Sequence, residues 1–325
     1  MAGAVTQADI IGSHVGAAYT GMQLLSNLET VAVDFILAPG MWHRQTQQAG
    51  IDMSGNRFAH WLYSVPDFED PTDARDFVNG EYNAASPGGV AVPTVLVPYP
   101  PLALVNSENS CCFFAWPNYF DQYVNDDVWE PPEGHVAEII AKHIADGFDP
   151  WEPIANKSPV ENTNSFRYSP SKDERKLIGD LNGTRLEVVN AFVDFVNQGM
   201  FLYGQRTMTR TASPLDRLHV RWTFNNKIAI PLLVASRRFP HTLNDEVLWR
   251  RIRSAVRRIL NPIALAGGLT GYNIVCDETT NTPALQEQKK ALCIIALKFP
   301  EAMEELTYKV IFTPQTVEFS EVLPS

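Results

Sequence analysis

The sequence predicts an α/β to α+β fold: a mixed-sheet core in two parts, helices packed on the sheets, and a C-terminal β-strand arm. Three observations carry this. The first half alternates short apolar strand candidates with helical stretches, the pattern of a largely parallel sheet. The second half holds one long amphipathic helix candidate followed by two strand candidates. The charge is also split, since residues 1–165 carry 21 acidic residues against 5 Lys and Arg, and residues 166–325 carry 16 against 21. The chain therefore divides into an acidic α/β part over 1–170, a basic part over 171–304 and a β arm over 305–325.

Each element has a local reason. Val31–Leu37 is β-branched and mostly apolar, and Ala38-Pro39-Gly40 stops it; Phe58–Tyr63 is a second strand candidate ended by Pro66. A short helix over Met41–Ala49 fits between them. Asp70-Pro71-Thr72-Asp73 supplies capping oxygens and an early proline for a helix through Phe77. Cys111–Trp116 is a third buried strand. His135–Ala145 places Val136, Ile139, Ile140 and Ile144 at helical spacing. Residues 153–174 read as a linker or long ordered loop. Leu181–Asn197 reads as partly helical and Met200–Met208 as a strand. In Asn244–Leu260, Asn244 or Asp245 caps a helix with Leu248, Ile252, Val256 and Ile259 on one face, arginines on the rest, and Asn261-Pro262 as the stop. Ala266–Gly271 is a turn leading to a strand over Tyr272–Cys276. Another strand covers Ala291–Phe299, and Thr307–Phe312 and Val317–Phe319 are β-prone.

Several function classes find no support in the pattern. No apolar run approaches the roughly 18 residues of a membrane-spanning helix, and the N-terminus reads as lacking a signal peptide. Four cysteines make no disulfide framework and suggest a reducing compartment. Neither a nucleophile elbow nor a phosphate-binding loop occurs. His135 and His143 are eight residues apart, more than two helical turns, so a single ion is out of reach of both. They read as structural histidines, Cys111 and Cys112 as buried thiols. No acidic pair sits in surroundings that would raise a pKa. The reading is a non-enzyme with no cofactor and no metal.

Several stretches in order resemble the contractile tail sheath proteins of bacteriophages and related contractile injection systems. Pro131-Pro132-Glu133-Gly134-His135-Val136-Ala137, then Trp151-Glu152-Pro153-Ile154-Ala155-Asn156, is similar to "P-P-S-G-H-V-A-G … W-x-A-P-A-N". Leu181-Asn182 and Tyr203-Gly204-Gln205-Arg206-Thr207-Met208 resemble "L-N … W-G-A-R-T-L". Arg217-Leu218-His219-Val220-Arg221 is similar to "R-Y-V-N-V-R-R", and Asn244-Asp245 with Leu248-Trp249 to "N-D-x-x-L-W". Gly267-Gly268-Leu269-Thr270-Gly271 and Val275-Cys276-Asp277 resemble "G-A-L-x-G … V-x-C-D". Gly134, His135, Gly204, Arg206, Trp249 and Asp277 form the motif core. The family's N-terminal arm is missing, so the chain reads as a reduced sheath or the core of a longer one.

The resemblance implies a structural subunit that polymerises helically around a tail tube and contracts to drive the tube through the target envelope. It implies neighbouring sheath subunits, the tail tube protein, the baseplate and the tail terminator as partners, with no membrane insertion and no direct nucleic acid. It implies assembly in the bacterial host's cytoplasm into a virion tail. The C-terminal domain would lie against the tube, where Arg250, Arg253 and Arg257 would meet an acidic surface; a solvated helix face is the alternative. Tyr308, Val310 and Phe312 would form an inter-subunit strand, or else an edge strand within the chain. Two other functions stay open: a nucleic-acid-binding module using the Arg-rich residues 206–258, and an α/β enzyme with an unrecognised site.

Overall fold

The near-continuous apolar runs of the first half form a sheet covered on both faces. A computed structural model describes residues 7–15, 18–28, 31–42, 44–68, 70–79, 107–179, 188–209 and 213–303. It opens with helix α1 (Gln7–Ile11) and a small hairpin, β1 (His14–Val15) with β2 (Ala18–Tyr19). Then follow β3 (Phe35–Leu37), α2 (Arg44–Arg57), β4 (His60–Ser64), α3 (Pro71–Asn79) and β5 (Ser110–Phe114). Next come β6 (Pro117–Asp121), β7 (Asp126–Trp129), α4 (Glu133–Ala145), β8 (Ser165–Phe166), α5 (Lys172–Ile178), β9 (Val189–Phe195) and β10 (Gly199–Leu202). The main sheet has the order β10-β9-β5-β4-β3. Its pairs are parallel except β10 with β9, so the sheet is mixed. Every residue of β4 and β5 is buried, as expected of central parallel strands. A second sheet, β7-β6-β8, is antiparallel.

Two expectations for this half change. The helix expected over Met41–Ala49 runs from Arg44 to Arg57, and the buried Arg57 guanidinium donates to Leu25 O and, at 2.7 Å, to Val31 O. The partly helical reading of Leu181–Asn197 is wrong for its described part, because Val189–Phe195 is strand β9. Val189, Phe192 and Val193 are all buried between β5 and β10, where two-sided burial and neighbouring strands outweigh local helical spacing. β9 and β10 lie beyond residue 170, yet they pair into the sheet of the first half. Leu181-Asn182 lies outside the described residues, as do Tyr308, Val310, Phe312 and the whole 305–325 arm.

The rest of the chain wraps a smaller core. A continuous helical stretch comprises α6 (Leu218–Thr223), a π-turn (Phe224–Ala229) and α7 (Ile230–Ser236). Pro231 stands two residues beyond the end of the π-turn; it lacks an N–H and its ring crowds the preceding carbonyls, which a wider turn relieves. Then come α8 (Glu246–Leu265), β11 (Gly271–Val275), α9 (Pro283–Glu287) and β12 (Ile294–Lys298). β11 and β12 form an antiparallel pair. Ile228, Val256, Leu260, Ile263 and Leu269 make the core, with Trp151 packed against it.

The expected stop of α8 at Asn261-Pro262 is also corrected. The helix continues to Leu265 and ends before Gly267, whose φ is +88°. Pro262 is exposed, while Leu260 and Ile263 on either side are buried. A proline in the last turn leaves one carbonyl without its helical donor, and solvent supplies the substitute.

Candidate functional site

The motif residues that looked functional hold the two cores together. Asp245 caps α8 by accepting from Leu248 N at 2.8 Å. Asn244 accepts from the Trp249 indole at 2.8 Å and donates to Lys290 O at 2.8 Å, tying the helix entry to the strand-β12 side. Leu248 and Trp249 are buried. The N-D-x-x-L-W spacing is thus a cap, a tether and two anchors.

The other motifs meet in the same way. Gly204 lies so close to Asn190 that a Cβ would stand 2.8 Å from its side-chain oxygen. Asn190 in turn donates to Cys112 O and Arg206 O and accepts from Arg206 N. Gln205 Oε1 accepts from Ile154 N at 3.1 Å, joining the Trp151–Asn156 stretch to Tyr203–Met208. Gly268 is packed on Trp151, where a Cβ would come within 2.7 Å of the ring. His135 sits between Glu130 and Glu138 at 2.8 and 3.3 Å, and His143 Nε2 is 3.1 Å from Asp149 O. Asp277 accepts from Thr279 N and Thr279 Oγ1 within its own turn, which pulls its carboxyl pKa down. Gly134 has open space where a Cβ would be, and nothing in the structure explains the glycine there.

Two outward surfaces remain. On α8 the arginines differ in exposure. Arg250 and Arg257 are exposed, together with Arg251 and Arg258, around Ser254 and Val247. Arg253 is half-buried at the margin, on the side of Asp277 and Cys276, both of which its charge influences. Arg250 pairs with Glu246 at 3.3 Å, an exposed pair of little energetic weight. The second surface is the β11–β12 pair. One face packs on α8; Asn273, Ile294, Ala296 and Lys298 are exposed, and among the described residues neither edge has a further strand. Leu243, Val247, Leu265 and Leu292 around this part are also exposed.

Comparison with known proteins agrees with this geometry. No family model matches. A tail sheath protein of Vibrio phage KVP40 is 28% identical over 207 residues, covering 63% of this chain and 30% of the relative. The tail sheath protein of Enterobacteria phage T4 is 26% identical over 205 residues, covering 62% of this chain and 30% of its own length. The chain is similar to tail sheath proteins of phages. The matched stretch spans under a third of those curated relatives. In fold, the chain is similar to the sheath complex of an extracellular contractile injection system in the contracted state, with TM-score 0.67, 16% identity, and 92% and 76% of the two chains covered. A chain of the anti-feeding prophage baseplate gives TM-score 0.64 at 14% identity over 88% and 70%.

The chain carries a buried polar layer that its sequence did not announce. His60 is fully buried, with Asn225 Nδ2 at 3.3 Å from its Nε2; Asn225 also donates to Asn109, which accepts from Arg221 at 2.8 Å. Arg221 reaches Glu108 at 2.8 Å. Burial, with Arg221 adding to it, drives the His60 pKa down to about 3, so the ring stays neutral. Glu133, at the start of α4, is also fully buried, and neither carboxyl oxygen has a hydrogen bond of good geometry. Desolvation raises its pKa to about 7, while Ser64 and the Glu133 backbone draw it part of the way back. Among the described residues this is the most strongly raised carboxyl, and it is sealed inside the fold. Its signal in the sequence was the apolar run of β4 and β5, which had to cover whatever opens α4.

Proposed function

We propose that the chain is a structural subunit of a contractile tail sheath, polymerising helically around a tail tube and contracting to drive the tube through a cell envelope. The observation that carries this is the joint likeness: sequence similarity to phage tail sheath proteins, and a sheath fold along nine-tenths of the chain. The open β11–β12 pair is the acceptor for a strand from a neighbouring subunit, donated by the arm that contains Tyr308, Val310 and Phe312. The exposed α8 face around Arg250 and Arg257 points to the tube, where many weak, screened contacts hold and then release. The acidic part over 1–170 lies outward and the basic part over 171–304 inward. The main sheet supports moving that division to about residue 210, because β9 and β10 belong to the outer layer. Residues 213–303 then hold 13 Lys and Arg against 7 acids.

On this reading the protein is not an enzyme and works in the virion tail after assembly in the host cytoplasm, with tube, baseplate and terminator as partners. Electron microscopy of the purified chain, alone and with tail tubes, tests it. Striated tubes or stacked rings are the expected result. A monomer at every concentration that also leaves the tubes bare would overturn it.

A further inference from the structure

Cys276 and Cys293 lie opposite each other across the β11–β12 pair. Val275 pairs with Ile294, so the next residues outward, 276 and 293, face one another. Opposed positions of an antiparallel pair point to one face with Cβ atoms about 4.5–5.5 Å apart, close to the span that a disulfide needs. The two thiols are near enough to influence each other's ionisation. Asn281 closes the turn above them, donating to Leu292 O and Asp277 O while Leu292 N donates back to its side chain. Both cysteines are free in this structure, Cys276 fully buried and Cys293 half-buried.

Access comes from one side. Cys293 lines a cleft of about 450 Å³ between α7, α8 and β12, floored by Leu232, Leu248 and Ile252 and rimmed by Lys289 and Lys290. The cationic rim suits an anionic, low-molecular-weight disulfide. Cys111 and Cys112 have no such opening, being fully buried in the main sheet.

We infer that Cys276 and Cys293 are a redox modification site, oxidised by a small anionic disulfide to a cross-strand bridge that closes the turn end of the hairpin. The Cys293 thiolate attacks one sulfur of the small disulfide, forming a mixed disulfide and releasing one thiol. The Cys276 thiolate then attacks the Cys293 sulfur, forming the protein disulfide and releasing the second thiol. The protein loses two hydrogens, and one small disulfide becomes two thiols. Burial pushes the Cys293 thiol up to about 12 and raises Cys276 too, with Arg253 opposing both shifts, so the exchange runs slowly.

The test uses the purified native chain, held for hours in mixtures of oxidised and reduced glutathione, then acid-quenched, alkylated and digested without reductant. Trypsin cuts after Lys289 and Lys290, so Cys276 and Cys293 leave in separate peptides unless bridged. The expected product is one linked pair of those peptides that reductant splits, with Cys111 and Cys112 recovered as thiols. Sixteen residues lie between the two cysteines, so oxidation should also raise Tm by roughly 3–8 °C. Cys293→Ser should abolish both the linkage and the rise. Recovery of both residues as free thiols at the most oxidising ratio overturns the inference. So does a lasting mixed disulfide on Cys293 with Cys276 still free, or a bridge joining either one to any other cysteine.

Discussion

Replacing Glu133 by Gln isolates the energetic cost of one buried carboxyl. Its ordinary value is 4.5, and burial lifts it to about 7 in the folded chain. Below pH 4.5 both folded and unfolded states carry the proton, and the group has no effect on the pH dependence of stability. Between pH 4.5 and 7 the unfolded chain ionises while the folded chain keeps its proton, so stability falls by about 1.4 kcal/mol per pH unit. Above pH 7 the loss levels off at about 3 kcal/mol. His60 and His219, depressed to about 3 and about 4, act in the opposite direction and erode stability as the pH falls below 6.5. They contribute equally to the wild type and the variant, so the difference between the two reports Glu133 alone. Urea unfolding of both proteins from pH 4 to pH 8.5 is the assay. The stability of Glu133→Gln relative to wild type should climb by about 3 kcal/mol across that range, mostly between pH 5 and 7. A constant offset, which the buried amide can produce by itself, does not count in favour; a difference that stays flat with pH refutes the argument.

Asn244→Ala should cost about 1–2 kcal/mol in urea unfolding, since it leaves the Trp249 indole without its acceptor. Gly268→Ala should cost about 1–3 kcal/mol, because the new methyl meets the Trp151 ring and Ile263; an unchanged midpoint would contradict the packing. Reversing Arg250, Arg257 and Arg258 to Glu should leave Tm nearly unchanged and lower co-sedimentation with tail tubes, most strongly at low salt. Equal binding at every ionic strength would remove α8 from the tube-facing surface. Deleting residues 307–325 should abolish polymers while a folded monomer remains by circular dichroism, and intact polymers would remove the arm from the inter-subunit contact.

What could be read in advance was local. The strands around Ile36, Trp61 and Phe113, the caps at Asp70 and Asp245, and the β11–β12 pair each announce themselves through burial pattern or capping chemistry. The errors came where distant parts of the chain decide the outcome. Val189–Phe195 is a strand because β5 and β10 flank it, and no window of sequence contains that fact. The helix over Ile230–Ser236 has no counterpart among the expected elements; Pro231 opens it, just beyond the π-turn. What the motif residues do in three dimensions was not legible in the sequence. Gly204, Asn244 and Trp249 turn out to be spacers and tethers between layers. The arginine face was half legible: its helix was evident, yet the inward lean of Arg253 depends on where Asp277 falls in three dimensions.

The helical stretch from Leu218 to Ser236 begins in one core and ends in the other. Leu218 and Trp222 belong to the large cluster, and Ile228 to the small one. A rod sunk at both ends cannot serve as a hinge without extracting an indole from one side or an isoleucine from the other. Bending between the halves is therefore costly, and the chain should travel as a solid brick. Any large change in the length of a stack built from such bricks has to be taken up in the mortar, where one copy touches the next.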